Sequence, residues 1–243
     1  MSFLEKIYPP EIRKQELIVP LMPLFRILSL PLALLGILFK VHPNILTIIS
    51  FFTLLSSAYF AIETNFFTSS ILMIITLCLD CADGEVARFH NKKTTLGLNM
   101  ESIHADITLL IYPISVATGM FKLDIIQLST LLLVMIGSSF YVNWRAIFSN
   151  SNIKDDPSGK SLIYKLFFSQ QKPNQNIRNS TVIGNILFSI RLNLITQLGV
   201  PFILIIIFGL VNISNARIPL IILSVSHLVL AIGVILAKLF FKR

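Results

Sequence analysis

Six apolar runs, at residues 45–62, 66–79, 107–121, 125–144, 192–211 and 218–241, leave this chain few ways to fold. Crossing the hydrocarbon of a bilayer takes about 20 apolar residues per helix. Backbone polar groups in lipid must be satisfied within their own segment, so each run reads as a spanning helix. The chain is 54% hydrophobic and 13% charged, with a mean hydropathy of +0.79, well beyond what a solvated surface allows. The second and third runs fall short of a full crossing. Each gains its missing turns from a polar neighbour, DCADGEVAR after the second and residues 97–106 before the third. Those neighbours must lie at the membrane surface or against other helices. The expected fold is all-α, an integral membrane bundle of six transmembrane helices.

Lys and Arg concentrate in cytoplasmic loops. With six spans, eighteen of the twenty fall in alternate segments and two in the others, so both termini are expected in the cytoplasm. The net charge of +8 is then a topology signal, with attraction to anionic lipid second, and gives no reason to expect nucleic acid. Residues 1–16 mix Glu5, Glu11 and Glu16 with Lys6, Arg13 and Lys14, without the pattern of a cleavable signal. Residues 17–39 are apolar but carry Pro20, Pro23, Pro31 and Arg26. They are expected to form a helix lying on the membrane, because a seventh span would spoil the charge alternation. The division is therefore an N-terminal cytoplasmic and interfacial segment, 1–41, and a six-helix membrane domain, 42–243, with a polar cytoplasmic loop at 145–191. Cys78 and Cys81, the only cysteines, read as small residues on a packed helix face, since a zinc site would want two more ligands.

The acids are distributed unevenly. Asp80, Asp83, Glu85, Glu101 and Asp106 lie within 27 consecutive residues, and the other spans carry none. Burying a carboxylate in a bilayer costs roughly 2.5 to 3.5 kcal/mol on insertion scales, so such a cluster needs partners. Arg88 supplies one positive charge; clustered oxygen ligands also suit hard divalent cations such as Mg²⁺ or Mn²⁺. Residues three or four apart share a helix face. Asp80, Asp83, Gly84 and Ala87 then line one side of the second span, and Gly97, Glu101, His104 and Ala105 form a similar stripe on the third.

The stretch Asp80-x2-Asp83-Gly84-x2-Ala87-Arg88-x8-Gly97 resembles the signature of the CDP-alcohol phosphotransferase (CDP-alcohol phosphatidyltransferase) family, D-x2-D-G-x2-A-R-x8-G-x3-D-x3-D, with every spacing kept over its first six fixed residues. Six such residues match by chance on the order of 10⁻⁷ per starting point. The HPNILT that opens the first span is similar to the Pro-Asn found there in relatives. The signature departs at its end. Glu101 stands at the third aspartate; Ala105 stands at the fourth, with Asp106 one position late. In a regular helix Asp106 points about 140° away from Glu101. Either a π-bulge brings the two onto one face, or His104, on the face of Glu101, takes the fourth acid's part. His42 and His90 are expected at the membrane interface and His227 inside the sixth span, all structural.

The resemblance implies transfer of a phosphoalcohol, most simply phosphatidyl from CDP-diacylglycerol, to an acceptor hydroxyl with release of CMP. It implies Asp80, Asp83, Gly84, Ala87, Arg88 and Gly97 around the CDP. Asp80, Asp83, Glu101 and Asp106 are the candidate ligands of a Mg²⁺ or Mn²⁺ pair about 4 Å apart. His104 and Asp106 are rival general bases. Homodimers are common among such relatives. The active site is expected at the cytoplasmic face, which is the inner membrane if the source is bacterial. Arg145 and Arg191 are candidates for an acceptor phosphate and equally ordinary positive-inside anchors, and Trp144 is an expected interfacial aromatic. Two other readings are a cation transporter using the acids as its ion site and a non-catalytic relative.

Overall fold

The computed structural model describes residues 7–9, 21–92, 94–149 and 199–241; 87% of them are helical and none lies in a strand. The helices are α1 (Met22–Leu38), α2 (Pro43–Ile62), α3 (Phe66–Phe89), α4 (Thr95–Lys122), α5 (Leu128–Ser149), α6 (Val200–Val211) and α7 (Arg217–Phe241), with a 3-10 turn at Ile213–Ala216 between the last two. Among the described residues, four stretches are long and apolar enough to cross a membrane: Pro43–Ile62, Phe66–Phe89, Asn99–Lys122 and Ile213–Gly233. The chain is thus a multi-pass membrane protein. The other two expected spans fall on α5 and α6. The segment 192–198, which would lengthen α6, lies outside the described residues, as do residues 1–6, 17–20, nearly all of the polar loop and the Trp144, Arg145 and Arg191 side chains.

Local chemistry explains where the helices start and stop. His42 Nδ1 accepts from Asn44 N–H at 3.3 Å with Pro43 in the first turn of α2. The Asn65 side chain accepts from Thr68 N–H at 3.2 Å to open α3, and Thr94 Oγ1 accepts from Gly97 N–H at 3.0 Å to open α4. These caps satisfy donors that no helix can satisfy internally. The ends of α1 to α4 share one device. Lys40, Thr64, Asn91 and Asp124 adopt φ of 53°, 62°, 53° and 56°. At each, the following N–H reaches back five residues: Val41 to Gly36 O, Asn65 to Phe60 O, Lys92 to Ala87 O and Ile125 to Met120 O, at 2.8 to 2.9 Å. This is the Schellman closure, made here without glycine. It reverses the chain in a few residues, so α2, α3 and α4 follow one another through short turns.

Helix α3 is central and packs against α1, α2 and α6; α4 packs on α2 and α5, and α7 on α5 and α6. Leu54, Met73, Leu77, Leu109, Tyr112, Phe202 and Leu223 fill the interior. Backbones come close where side chains are small, and a Cβ on Gly137 of α5 would lie 2.6 Å from the Ser224 carbonyl of α7. Helix α1 carries Pro31 but runs unbroken, with Phe25, Ser29, Ala33 and Gly36 buried. Its opposite face exposes Leu24, Ile27, Leu28, Leu34, Leu35 and Leu38. A row so apolar is suited to lipid. Cys78 and Cys81 are buried free thiols, and His227 is fully buried, stacked on Tyr141 at 4.3 Å.

A β-branched residue in the left-handed region carries about 1 kcal/mol of backbone strain that glycine lacks. Thr64→Gly is therefore expected to raise the thermal midpoint of the detergent-solubilised protein. A lowered midpoint contradicts this account of the α2–α3 turn.

Candidate active site

One end of the bundle gathers the last turns of α3 and the first turns of α2 and α4 around a cavity of about 150 Å³. Its lining includes Asp80, Asp83, Gly84, Ala87, Arg88, Gly97 and Glu101. The 3.6-residue period puts the first five on one side of α3, and the short turn through Asn91 swings Gly97 and Glu101 across from them. At both glycines a side chain would press on its neighbours. A Cβ at Gly84 would lie 3.3 Å from Arg88 Nη1, and one at Gly97 would lie 3.1 Å from Thr94 Oγ1 and 3.3 Å from Asn44 Oδ1.

Each acid of α3 meets a different helix. Asp83, only 5% exposed, accepts a 2.5 Å hydrogen bond at Oδ2 from the Thr47 hydroxyl of α2. Asp80 Oδ1 lies 3.0 Å from Nδ1 of His104 on α4. His104 Nε2 in turn lies 3.1 Å from the Ser50 hydroxyl, and the edge of Phe51 closes over the ring. Glu85, 1% exposed, accepts from Arg26 Nη1 at 3.2 Å and from the Ser29 hydroxyl at 3.1 Å, both on α1. At the mouth, Arg88 Nε donates to the Ile7 carbonyl at 2.7 Å.

Two expectations end differently. Helix α4 is regular from Thr95 to Lys122, so no π-bulge turns Asp106 toward Glu101; Asp106 is half-buried and outside the cavity lining. His104 does share the face of Glu101, but it is fully buried behind Asp80 and does not line the cavity either. One turn beyond Glu101 the face has left the cavity and entered the α2–α3–α4 packing, which is why His104 meets protein on both ring nitrogens.

The lining also holds residues that the sequence reading did not assign to the site, namely Arg26, Asn44, Thr47, Lys92 and Thr94. Thr47 belongs to the HPNILT stretch, and its place one turn after Asn44 was a usable signal. Arg26 was legible too, as a lone cation within an apolar helix. With Arg26, Arg88 and Lys92 in the same lining as Asp80, Asp83 and Glu101, the cavity has cations for phosphate as well as acids for metal. Among the described residues, no three His, Cys, Asp or Glu side chains form a ready ligand cage. Magnesium commonly takes one or two carboxylates together with substrate phosphate oxygens, so the donor chemistry of this lining fits a divalent ion.

Losing the Thr47 hydroxyl leaves a buried carboxylate short of a hydrogen bond. Thr47→Val is expected to lower stability by about 1 to 3 kcal/mol and Thr47→Ser to restore most of it, measured by thermal unfolding in detergent. Equal stability of the valine variant and the parent contradicts this role.

The sequence profile described as CDP-alcohol phosphatidyltransferase matches residues 40–169, just over half of the chain and all of the lining from α2, α3 and α4. No curated protein and no solved structure matches the chain. With the signature spacing, the shared cavity and the profile in agreement, the chain belongs to the CDP-alcohol phosphatidyltransferase family.

Proposed function

We propose that this protein transfers a phosphatidyl group from CDP-diacylglycerol to an acceptor hydroxyl and releases CMP. The observation that carries the reading is the convergence of Asp80, Asp83, Gly84, Ala87, Arg88, Gly97 and Glu101 on one cavity. A transporter that uses its acids as an ion site is expected to break its helices there, whereas α3 and α4 run unbroken through Asp80, Asp83 and Glu101.

In this reading Asp80, Asp83 and Glu101 hold Mg²⁺ or Mn²⁺. When bound, the metal screens the diphosphate and stabilises the entering and leaving oxygens. The Thr47 hydrogen bond restrains the rotamer of Asp83, and His104 stands 3.0 Å from Asp80. Gly84, Ala87 and Gly97 keep the floor low enough for the nucleotide, and Arg88 binds a phosphate. A general base must come within hydrogen-bond reach of the acceptor hydroxyl. His104 and Asp106, the two candidates for that part, lie outside the lining, so either would act through one bridging water. The positive-inside pattern supports a cytoplasmic cavity, from which soluble CMP would leave while lipid stays in the bilayer. Residues 42–243 then form the catalytic domain, and Arg145 and Arg191 are available to an acceptor phosphate.

Purified protein given CDP-diacylglycerol, a mixture of acceptor alcohols and Mn²⁺ is expected to release CMP. Chelation with EDTA should abolish the release. Asp83→Asn should lower it by about a hundredfold or more, the scale set by losing one electrostatic group from a site. Release that survives both treatments contradicts the reading, and so does its absence from the parent protein with every acceptor. A non-catalytic relative predicts the second result.

A further inference from the structure

The cavity contains a cation that the family signature does not supply. Arg26 belongs to α1, which ends before residue 40, where the family match begins. A charge in so apolar a helix is costly unless it is paired. Arg26 Nη1 donates to the Cys81 carbonyl at 2.8 Å and to Glu85 Oε1 at 3.2 Å, and Ser29 donates to the same carboxylate oxygen at 3.1 Å. The Arg26 side chain keeps 12% of its surface exposed and lines the cavity, whereas Glu85 is buried behind it. A buried ion pair is weak evidence of a contribution to stability, since apolar side chains of similar size often do as well. A guanidinium held by a carboxylate at the wall of a cavity is, in contrast, well matched to phosphate.

Depth distinguishes Arg26 from Arg88. Arg88 stands one residue from the end of α3, while Glu85 and Cys81 lie about one and two turns further into the bundle. Arg26 therefore meets the cavity on the apolar side of Arg88. Its helix exposes Leu24, Ile27 and Leu28 beside it. A donor with a water-soluble nucleotide at one end and acyl chains at the other orders its two phosphates along the same direction.

We propose that Arg26 binds the lipid-side phosphate of the CDP-alcohol, with Glu85 as the residue that orients it. The assignment rests on the function proposed above. It makes α1 part of the substrate site, beyond its packing against α3.

The test compares two probes on protein in nanodiscs with Mn²⁺, titrated calorimetrically with CMP, which has one phosphate, and with CDP-dioleoylglycerol, which has two. In the double variant Arg26→Leu/Glu85→Leu neither charge is left unpaired. CDP-dioleoylglycerol should bind it about tenfold or more weakly, the scale of a lost charged hydrogen bond, while CMP affinity stays within about twofold. Unchanged affinity for CDP-dioleoylglycerol, or equal weakening of both probes, overturns the proposal. If thermal unfolding shows that the double variant does not fold, Arg26→Lys serves instead. It keeps the charge but loses the planar fork, so weaker binding of CDP-dioleoylglycerol alone supports the proposal and unchanged binding overturns it. Parent protein that binds neither probe overturns the proposed function itself.

Discussion

A carboxylate on an apolar helix must be met by polar groups from its neighbours, and that requirement organises one end of this protein. Helix α3 carries Asp80, Asp83 and Glu85 within six residues. Helical geometry puts Asp80 and Asp83 on one side and Glu85 on another, and each is met by a different helix: Asp80 by His104 from α4, Asp83 by Thr47 from α2, and Glu85 by Arg26 with Ser29 from α1. Desolvating each acid costs several kcal/mol, and a hydrogen bond to a charged group returns about 1.5 to 3. The acids thus favour the arrangement in which three helices close around α3. Away from this end, packing relies on small residues, as where Gly137 of α5 lies against the Ser224 backbone of α7.

The same matching shapes the chemistry available. Thr47 restrains Asp83 by a hydrogen bond, and the buried His104 ring stands against Asp80. Glu101 comes from the opposite helix and is exposed, with a longer side chain than either aspartate. Arg26, Arg88 and Lys92 share the lining. Alternating acids and cations suit a ligand that brings both metal and phosphate, because each sign then has a partner.

Much of this was legible in the sequence. The apolar runs gave the helical class, and the i, i+3, i+4 spacing put Asp80, Asp83, Gly84 and Ala87 on one face, where the cavity finds them. Other parts could not be read from pattern alone. Residue spacing alone does not decide whether α4 bulges between Glu101 and Asp106, and regular helix prevailed. His104 shares the face of Glu101 in projection, but projection carries no depth, and one turn was enough to move it from the cavity into the interior. The pairing of Arg26 with Glu85 joins residues 59 apart in the chain, beyond the reach of any local pattern. Of the four non-glycine helix ends, Asn91 and Asp124 are residue types that tolerate the left-handed region, but Lys40 and Thr64 are not, so the turns after α1 and α2 carry no compositional signal.

The account depends on Asp80, Asp83 and Glu101 addressing one metal pocket from two helices. Anomalous diffraction from crystals of the protein grown with Mn²⁺ measures that directly. The expected result is a manganese peak bounded by those three carboxylates. Manganese bound elsewhere, or a pocket that stays free of the ion at saturating concentration, would contradict it.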